Sequence, residues 1–235
     1  MKEKPEPPPA PYKKSQAREY LESVSVAVIL ALFIRTFAVQ AFKIPTGSME
    51  PNLLIGDHLL VNKLVYSPSS GPWEDAILGK RPIQRGHVII FKFPEDPNKD
   101  FIKRAIGLPG ETVEIKEKKV YINGRALDEP YAHYLEPTPY HDDPESGMRG
   151  GDNWGPKKVP PGELFVMGDN RDNSHDSRYW DFLPEDQVKG RALLVYWSYE
   201  ASRDEYRQTG LLDWVWGTLT SLGKTRWTRF LHLIR

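Results

Sequence analysis

Between Leu21 and Phe42 the chain is mostly apolar, densest from Val24 to Ile34. At about 20 residues the segment is long enough to cross a hydrocarbon core as a helix. Arg35 and Gln40 interrupt its far half, where a long side chain can snorkel to the headgroups. Charged and proline-rich flanks argue against a helix buried in a soluble core. Val39-Gln40-Ala41 has the small-residue form of a leader cleavage site, so a cleaved leader is one reading and Ala41 a possible self-cleavage point. The length of the segment, and the loop that follows it at once, favour an uncleaved anchor. Residues 1–20 carry five Lys/Arg and a proline run from Pro5 to Pro11, an extended stretch without a packed core. Basic residues ahead of an apolar span predict a cytoplasmic N-terminus. The expected layout is a tail over 1–20, a single-pass transmembrane anchor over 21–42, an extracytoplasmic domain over 43–199 and a tail over 200–235.

The remainder can bury a real core. Its short apolar runs are β-branched or aromatic and bounded by turn residues: Leu59–Val61, Val88–Phe91, Thr112–Ile115, Val120–Ile122, Leu164–Met167 and Leu193–Trp197. Asn123-Gly124 is a tight-turn signal. With no long amphipathic helix between the runs, the expected fold is mainly β, an antiparallel barrel-like or sandwich sheet. Stretches 67–85 and 130–158, rich in Pro, Gly and charge, read as loops or insertions. Lys and Arg total 32 against 32 Asp and Glu, so no global field points to nucleic acid. The chain has no cysteine, which excludes disulfides, thiolate zinc sites and a cysteine nucleophile. No pair of the scattered histidines stands at a metal-ligand spacing, and neither metal nor cofactor is expected.

Three segments carry chemistry. The first, Lys43-Ile44-Pro45-Thr46-Gly47-Ser48-Met49-Glu50-Pro51, offers Ser48 as a nucleophile directly after the anchor. The second is Phe101 to Gly110. On a strand, Phe101, Lys103 and Ala105 share one face, and a lysine between apolar neighbours is desolvated. Its pKa then falls toward the range of a general base; the bland alternative is a solvated edge lysine. The third, Gly168 to Trp180, reads as a tight loop in which Asx side chains cap the backbone. A calcium loop is an alternative, but its position-twelve glutamate is missing and arginines intrude.

In this order behind an anchor, GSMEP, FIKRAIGLPGE and GDNRDNSHDSRYW resemble the bacterial type I signal peptidases, over roughly residues 20–198. The resemblance implies a mostly β catalytic core and hydrolysis of the bond after the leader of an exported precursor. It makes Ser48 the nucleophile and Lys103 the general base. Thr46 becomes an oxyanion donor and Ser174 the residue that orients the lysine. Asp176 with Arg178 would form a bracing ion pair, and Asp169 and Arg171 would brace the loop further. Phe42, Ile44 and Met49, close in sequence, are the candidates for the shallow pockets that read an Ala-x-Ala-like site. Implied partners are signal-peptide-bearing preproteins and the lipid bilayer, and the implied place is the bacterial cytoplasmic membrane. Asn52 stands where many relatives carry threonine, and Asp181 where they often carry glycine; neither is expected to touch the chemistry. His175 has no catalytic part in this reading.

Beyond about residue 200 the resemblance ends. Trp227, Phe230, Leu231 and Ile234 recur at helical spacing, and with Trp214, Trp216 and nearby arginines they predict an amphipathic helix. It would lie on anionic lipid or pack on the domain itself. Two other classes stay open. A soluble Ser-Lys autoprotease of the SOS-repressor kind shares the dyad but would carry a helix-turn-helix in place of the anchor. An inactive membrane-tethered binding module would tolerate loss of dyad residues that are all present here.

Overall fold

The computed structural model describes residues 15–66, 81–135, 151–200 and 223–234. It divides into two units, residues 1–38 and 39–235. In the first, helix α1 runs from Gln16 to Phe33, with Ser15 accepting the Arg18 N–H as N-cap, and passes into a π-helical turn over Ile34–Ala38. Apolar side chains project all round α1 and none is buried. No helix among the described residues is long and apolar enough to cross a membrane. The helical stretch ends before residue 42 because Val39–Lys43 is a strand, β1.

The second unit is built from antiparallel strands, as the short apolar runs predict. After β1 come β2 (Asp57–Asn62), β3 (Val88–Phe93), β4 (Asp96–Gly107), β5 (Thr112–Lys116), β6 (Lys119–Ile122) and β7 (Arg125–Ala126). They are followed by β8 (Trp154–Lys158), β9 (Glu163–Met167), β10 (Leu183–Pro184), β11 (Val188–Ser198) and β12 (His232–Leu233). The larger sheet runs β1-β2-β11-β3-β4-β9-β10, with β12 also on β11; the smaller runs β7-β6-β5-β8. Asn123 and Gly124, both at positive φ, make the tight turn between β6 and β7.

Strand alternation distributes the core. Along β2, Asp57, Leu59 and Val61 are buried while their neighbours are half-buried. β3 is covered on both faces. Val88 and Ile90 join Ile44, Met49, Leu53, Leu59 and Val61 in one cluster, and Ile89 and Phe91 join Leu164, Val166 and Leu183 in another. The smaller sheet packs Val113, Ile115, Val120 and Ile122 against Phe165 and Met167.

Two expectations are corrected. Residues 154–158, read as part of a loop, form β8 because they pair with the exposed edge of β5; residues 67–80 and 136–150 of the same loops lie outside the described residues. The C-terminal amphipathic helix does not form over 223–234. That strap holds a 3₁₀ turn at Trp227–Arg229, then Leu231 at φ 56°, then β12. Sheet pairing wins there: the Ile234 N–H donates to the Leu193 carbonyl, and Ile234 packs on the core. Trp214 and Trp216 lie outside the described residues.

Candidate active site

Ser48 sits in the loop joining β1 to β2, whose strands pair antiparallel up to Lys43↔His58. Main-chain bonds close the neck of this loop: Ile44 N–H to the Asp57 carbonyl at 2.9 Å and Gly56 N–H to the Ile44 carbonyl at 3.2 Å. Met49 and Leu53 drive into the core with almost no exposed surface, and the Leu53 N–H donates to the Met49 carbonyl at 2.9 Å. With Met49 and Leu53 buried, Ser48, the neighbour of Met49, is drawn down as well and is 7% exposed. Among the described residues, no protein group accepts a hydrogen bond from the Ser48 N–H. Thr46 is exposed at the start of the turn.

β4 delivers the lysine. Phe101 and Lys103 pair with Phe91 and Ile89 of β3, so both project to the side where that apolar cluster lies. Lys103 is 3% exposed, and its Nζ stands 2.7 Å from Ser48 Oγ. The same nitrogen donates to the Ile102 carbonyl at 3.1 Å and lies 5.4 Å from the centre of the Phe101 ring. Burial disfavours the ammonium and lowers the pKa to about 8, a fall partly opposed by the Asp176 carboxylate.

The segment after β9 holds both partners. Asn170 clamps the serine loop: its backbone N–H donates to the Ser48 carbonyl at 3.1 Å and its side-chain amide to the Gly47 carbonyl at 3.1 Å. Gly168 passes so close that a Cβ there would lie 2.5 Å from the Ser48 carbonyl oxygen and 2.2 Å from Ser174 Oγ. Asp176 is wholly buried, accepts the Gly168 N–H at 3.0 Å, and pairs with Arg178 at 2.8 and 2.9 Å. Burial alone would raise that carboxyl; Arg178 and the Gly168 N–H hold it below the usual carboxylate range.

Other expectations meet a different geometry. Asp169 and Arg171, expected as loop bracing, each take a partner outside the loop. Asp169 takes a two-pronged bond from Arg104 at 2.8 and 2.6 Å, and Arg171 reaches Glu129 at 3.0 and 2.5 Å. Ser174 is buried beside Gly168, and its hydroxyl does not bond the lysine; it helps instead to hold the Asp176 carboxylate ionised, and the Nζ is directed to Ser48 and Ile102. Ile44 and Met49 belong to the core and offer a substrate almost no surface, because the loop uses them to bury its own root. Phe42 is half-buried at the edge of the same cluster.

Four residues of this constellation escaped the sequence reading. Arg104 follows Lys103 and therefore points to the opposite face of β4, a signal that alternation already contained. Asn170 lies inside the third segment without a mark of its own. Asn52, expected to stay clear of the chemistry, donates its amide to Asp169 and to the Tyr131 carbonyl, both at 2.8 Å. Nothing local marks Glu129. The acids of the would-be calcium loop are occupied by Arg104, Lys118 and Arg178. No cluster able to hold a metal ion occurs among the described residues.

Residues 17–197 match the model of a protein family described as signal peptidase, peptidase S26. A signal peptidase I from Leptolyngbya laminosa is 37% identical over 206 residues, covering 82% of this chain and 89% of that one. One from Pseudomonas aeruginosa is 34% identical over 232 residues, covering 83% and 78%. A solved signal peptidase I structure from Enterococcus faecalis is 32% identical, with a TM-score of 0.38, covering 47% of this chain and 97% of that one.

Proposed function

This chain belongs to the signal peptidase family, peptidase S26, a family of serine peptidases, and we propose that it removes signal peptides from exported preproteins with Ser48 as nucleophile and Lys103 as general base. The observation that carries the reading is the 2.7 Å approach of Lys103 Nζ to Ser48 Oγ, between two groups withdrawn from water. A lysine whose pKa has fallen to about 8 keeps a useful neutral fraction near physiological pH. The neutral amine takes the hydroxyl proton as Ser48 Oγ attacks the scissile carbonyl. The resulting ammonium donates that proton to the leaving amine, and the acyl-enzyme forms. Neutral again, Lys103 removes a proton from the deacylating water, which releases the leader's new C-terminus and restores Ser48.

The tetrahedral oxyanion needs donors already in place. We assign the Ser48 N–H, which no protein group engages among the described residues, and the exposed Thr46 hydroxyl, two residues earlier. Asp176 with Arg178, Asp169 with Arg104, and Arg171 with Glu129 brace the loop behind the dyad. Ser174, buried against Gly168, fills the space beside the serine rather than bonding the lysine.

An extended leader segment would add to β1, the terminal strand of the larger sheet, which runs straight into the serine loop. Phe42 on that strand would contribute to an Ala-x-Ala-like subsite. The anchoring reading rests on α1, whose apolar side chains cover its whole circumference and are all exposed, a pattern that water disfavours. From the end of the π-helical turn at Ala38, about ten residues of chain, at most ~35 Å when extended, lead to Ser48. The catalytic unit would thus work at the outer face of the cytoplasmic membrane, with the basic N-terminal tail inside. The test is cleavage of a preprotein in detergent by wild type, Ser48→Ala and Lys103→Ala. Both variants should lose turnover, and wild-type rates in either one would overturn the assignment.

A further inference from the structure

The family match ends at residue 197, yet residues 223–234 are built into the serine loop. Asp57 stands at the exit of that loop with its carboxylate wholly buried. A carboxylate withdrawn from water requires a cation and hydrogen-bond donors. One donor is local, the Leu54 N–H at 2.8 Å. The cation comes from the far end of the chain. Arg229 grips both oxygens, Nε to Oδ1 at 3.1 Å and Nη2 to Oδ2 at 2.6 Å, and the same Nη2 donates to the Asn52 carbonyl at 2.8 Å. Arg226 adds a bond from Nη1 to the Ile55 carbonyl at 3.0 Å.

The strap carrying these arginines is itself fixed. Its main chain is bonded to β11 and its end: Glu200 N–H to the Lys224 carbonyl, Arg226 N–H to the Ser198 carbonyl and Ile234 N–H to the Leu193 carbonyl, beside the pairing of β12 with β11. Between the strap and the loop lies a cavity of about 810 Å³, bordered by Pro51, Asn52, Leu53, Arg104, Tyr131 and Phe230 among others. On this side the guanidinium groups of Arg226 and Arg229 hold the backbone carbonyls of Ile55 and Asn52 and the Asp57 carboxylate.

Asn52 is the joint of the assembly. Its carbonyl accepts a bond from Arg229 Nη2, while its amide donates to Asp169, the acid that holds Arg104, the residue after Lys103 on β4. One turn earlier, Leu53 is bonded back to Met49, the neighbour of Ser48. Strap, serine loop and lysine strand are thus joined by consecutive hydrogen bonds. We infer that Arg229 is a positioning residue for peptide-bond cleavage: it fixes the Asn52–Asp57 turn so that the loop presents Ser48 to Lys103. This rests on the Ser48–Lys103 reading and extends it, making the strap beyond the family-matched stretch a working part of the catalytic unit.

The test uses the full chain in detergent and compares wild type with Arg229→Gln, Arg229→Lys and the double variant Asp57→Asn/Arg229→Gln. Measured are kcat, KM, the pH dependence of kcat/KM and the thermal midpoint. Loss of the fork should lower kcat by about tenfold to a hundredfold while KM stays within about twofold, with partial recovery in Arg229→Lys. The double variant, which has no uncompensated buried charge, should regain thermal stability but not kcat. If Arg229→Gln does not fold, the double variant and Arg229→Lys still decide the matter. Wild-type kcat in the double variant, or a fall confined to the thermal midpoint, would overturn the proposal. Failure of the dyad reading looks different, because Ser48→Ala or Lys103→Ala would then retain turnover.

Discussion

Replacing Lys103 with methionine should raise stability at neutral pH while abolishing turnover, since the two side chains are similar in length and only one can be charged. Burial lowers the lysine pKa from 10.5 to about 8. The unfolded chain therefore binds more protons than the folded one between those values, and stability rises with pH across that window. At pH 7 the buried ammonium opposes folding by about 3 kcal/mol relative to a neutral side chain. Methionine forfeits the contacts with Ser48 and the Ile102 carbonyl, about 1 kcal/mol each, so the net gain expected at pH 7 is about 1 kcal/mol. By pH 9 the wild-type amine is largely neutral in the folded state, and the gap should narrow by about 1 kcal/mol. Urea unfolding of both proteins from pH 7 to pH 9 measures this difference, in which all other titrating groups cancel. A Lys103→Met protein that is less stable than wild type at pH 7, with a gap independent of pH, would refute the desolvated-base argument. The same depressed pKa sets the activity profile, so kcat/KM should climb with pH through a midpoint near 8.

Gly168→Ala should lower kcat by about tenfold or more, because a Cβ there meets the Ser48 carbonyl at 2.5 Å and that main chain must move; steady-state kinetics on a preprotein will show it. Asp169→Asn removes the charge facing Arg104, and with both side chains almost fully buried a loss of about 3 kcal/mol in urea unfolding is expected; a loss below about 1 kcal/mol would mean the pair is solvated. Asp181 holds φ 67° and ψ −116°, a conformation that suits glycine. Asp181→Gly should therefore gain about 1 kcal/mol, as its exposed ion pair with Lys157 contributes little.

Much of this molecule is legible in residue order. The strand runs, the Asn123-Gly124 turn and the side of β4 on which Lys103 lies follow from side-chain periodicity and backbone sterics, which act over a few residues. The three motifs likewise announce a serine, a lysine and an arginine-braced loop. The choice of partner is a different matter. Asp169 pairs with Arg104 rather than Arg171, and Arg171 takes Glu129, because strand register and loop closure set which charges meet. Local sequence offers several equivalent cations for each acid. The helical stretch ends before the residue its hydropathy suggests, since Val39–Lys43 gains a ladder with β2 that only tertiary structure supplies. The C-terminal strap shows the same principle. A pattern compatible with a helix became a turn and a strand once β11 offered an open edge and Asp57 a buried charge to neutralise. Sequence by itself determined which chemical groups are available and the local conformations they favour. Tertiary structure alone decided which groups face one another and which lose their water, and the reactivity of Lys103 depends on both.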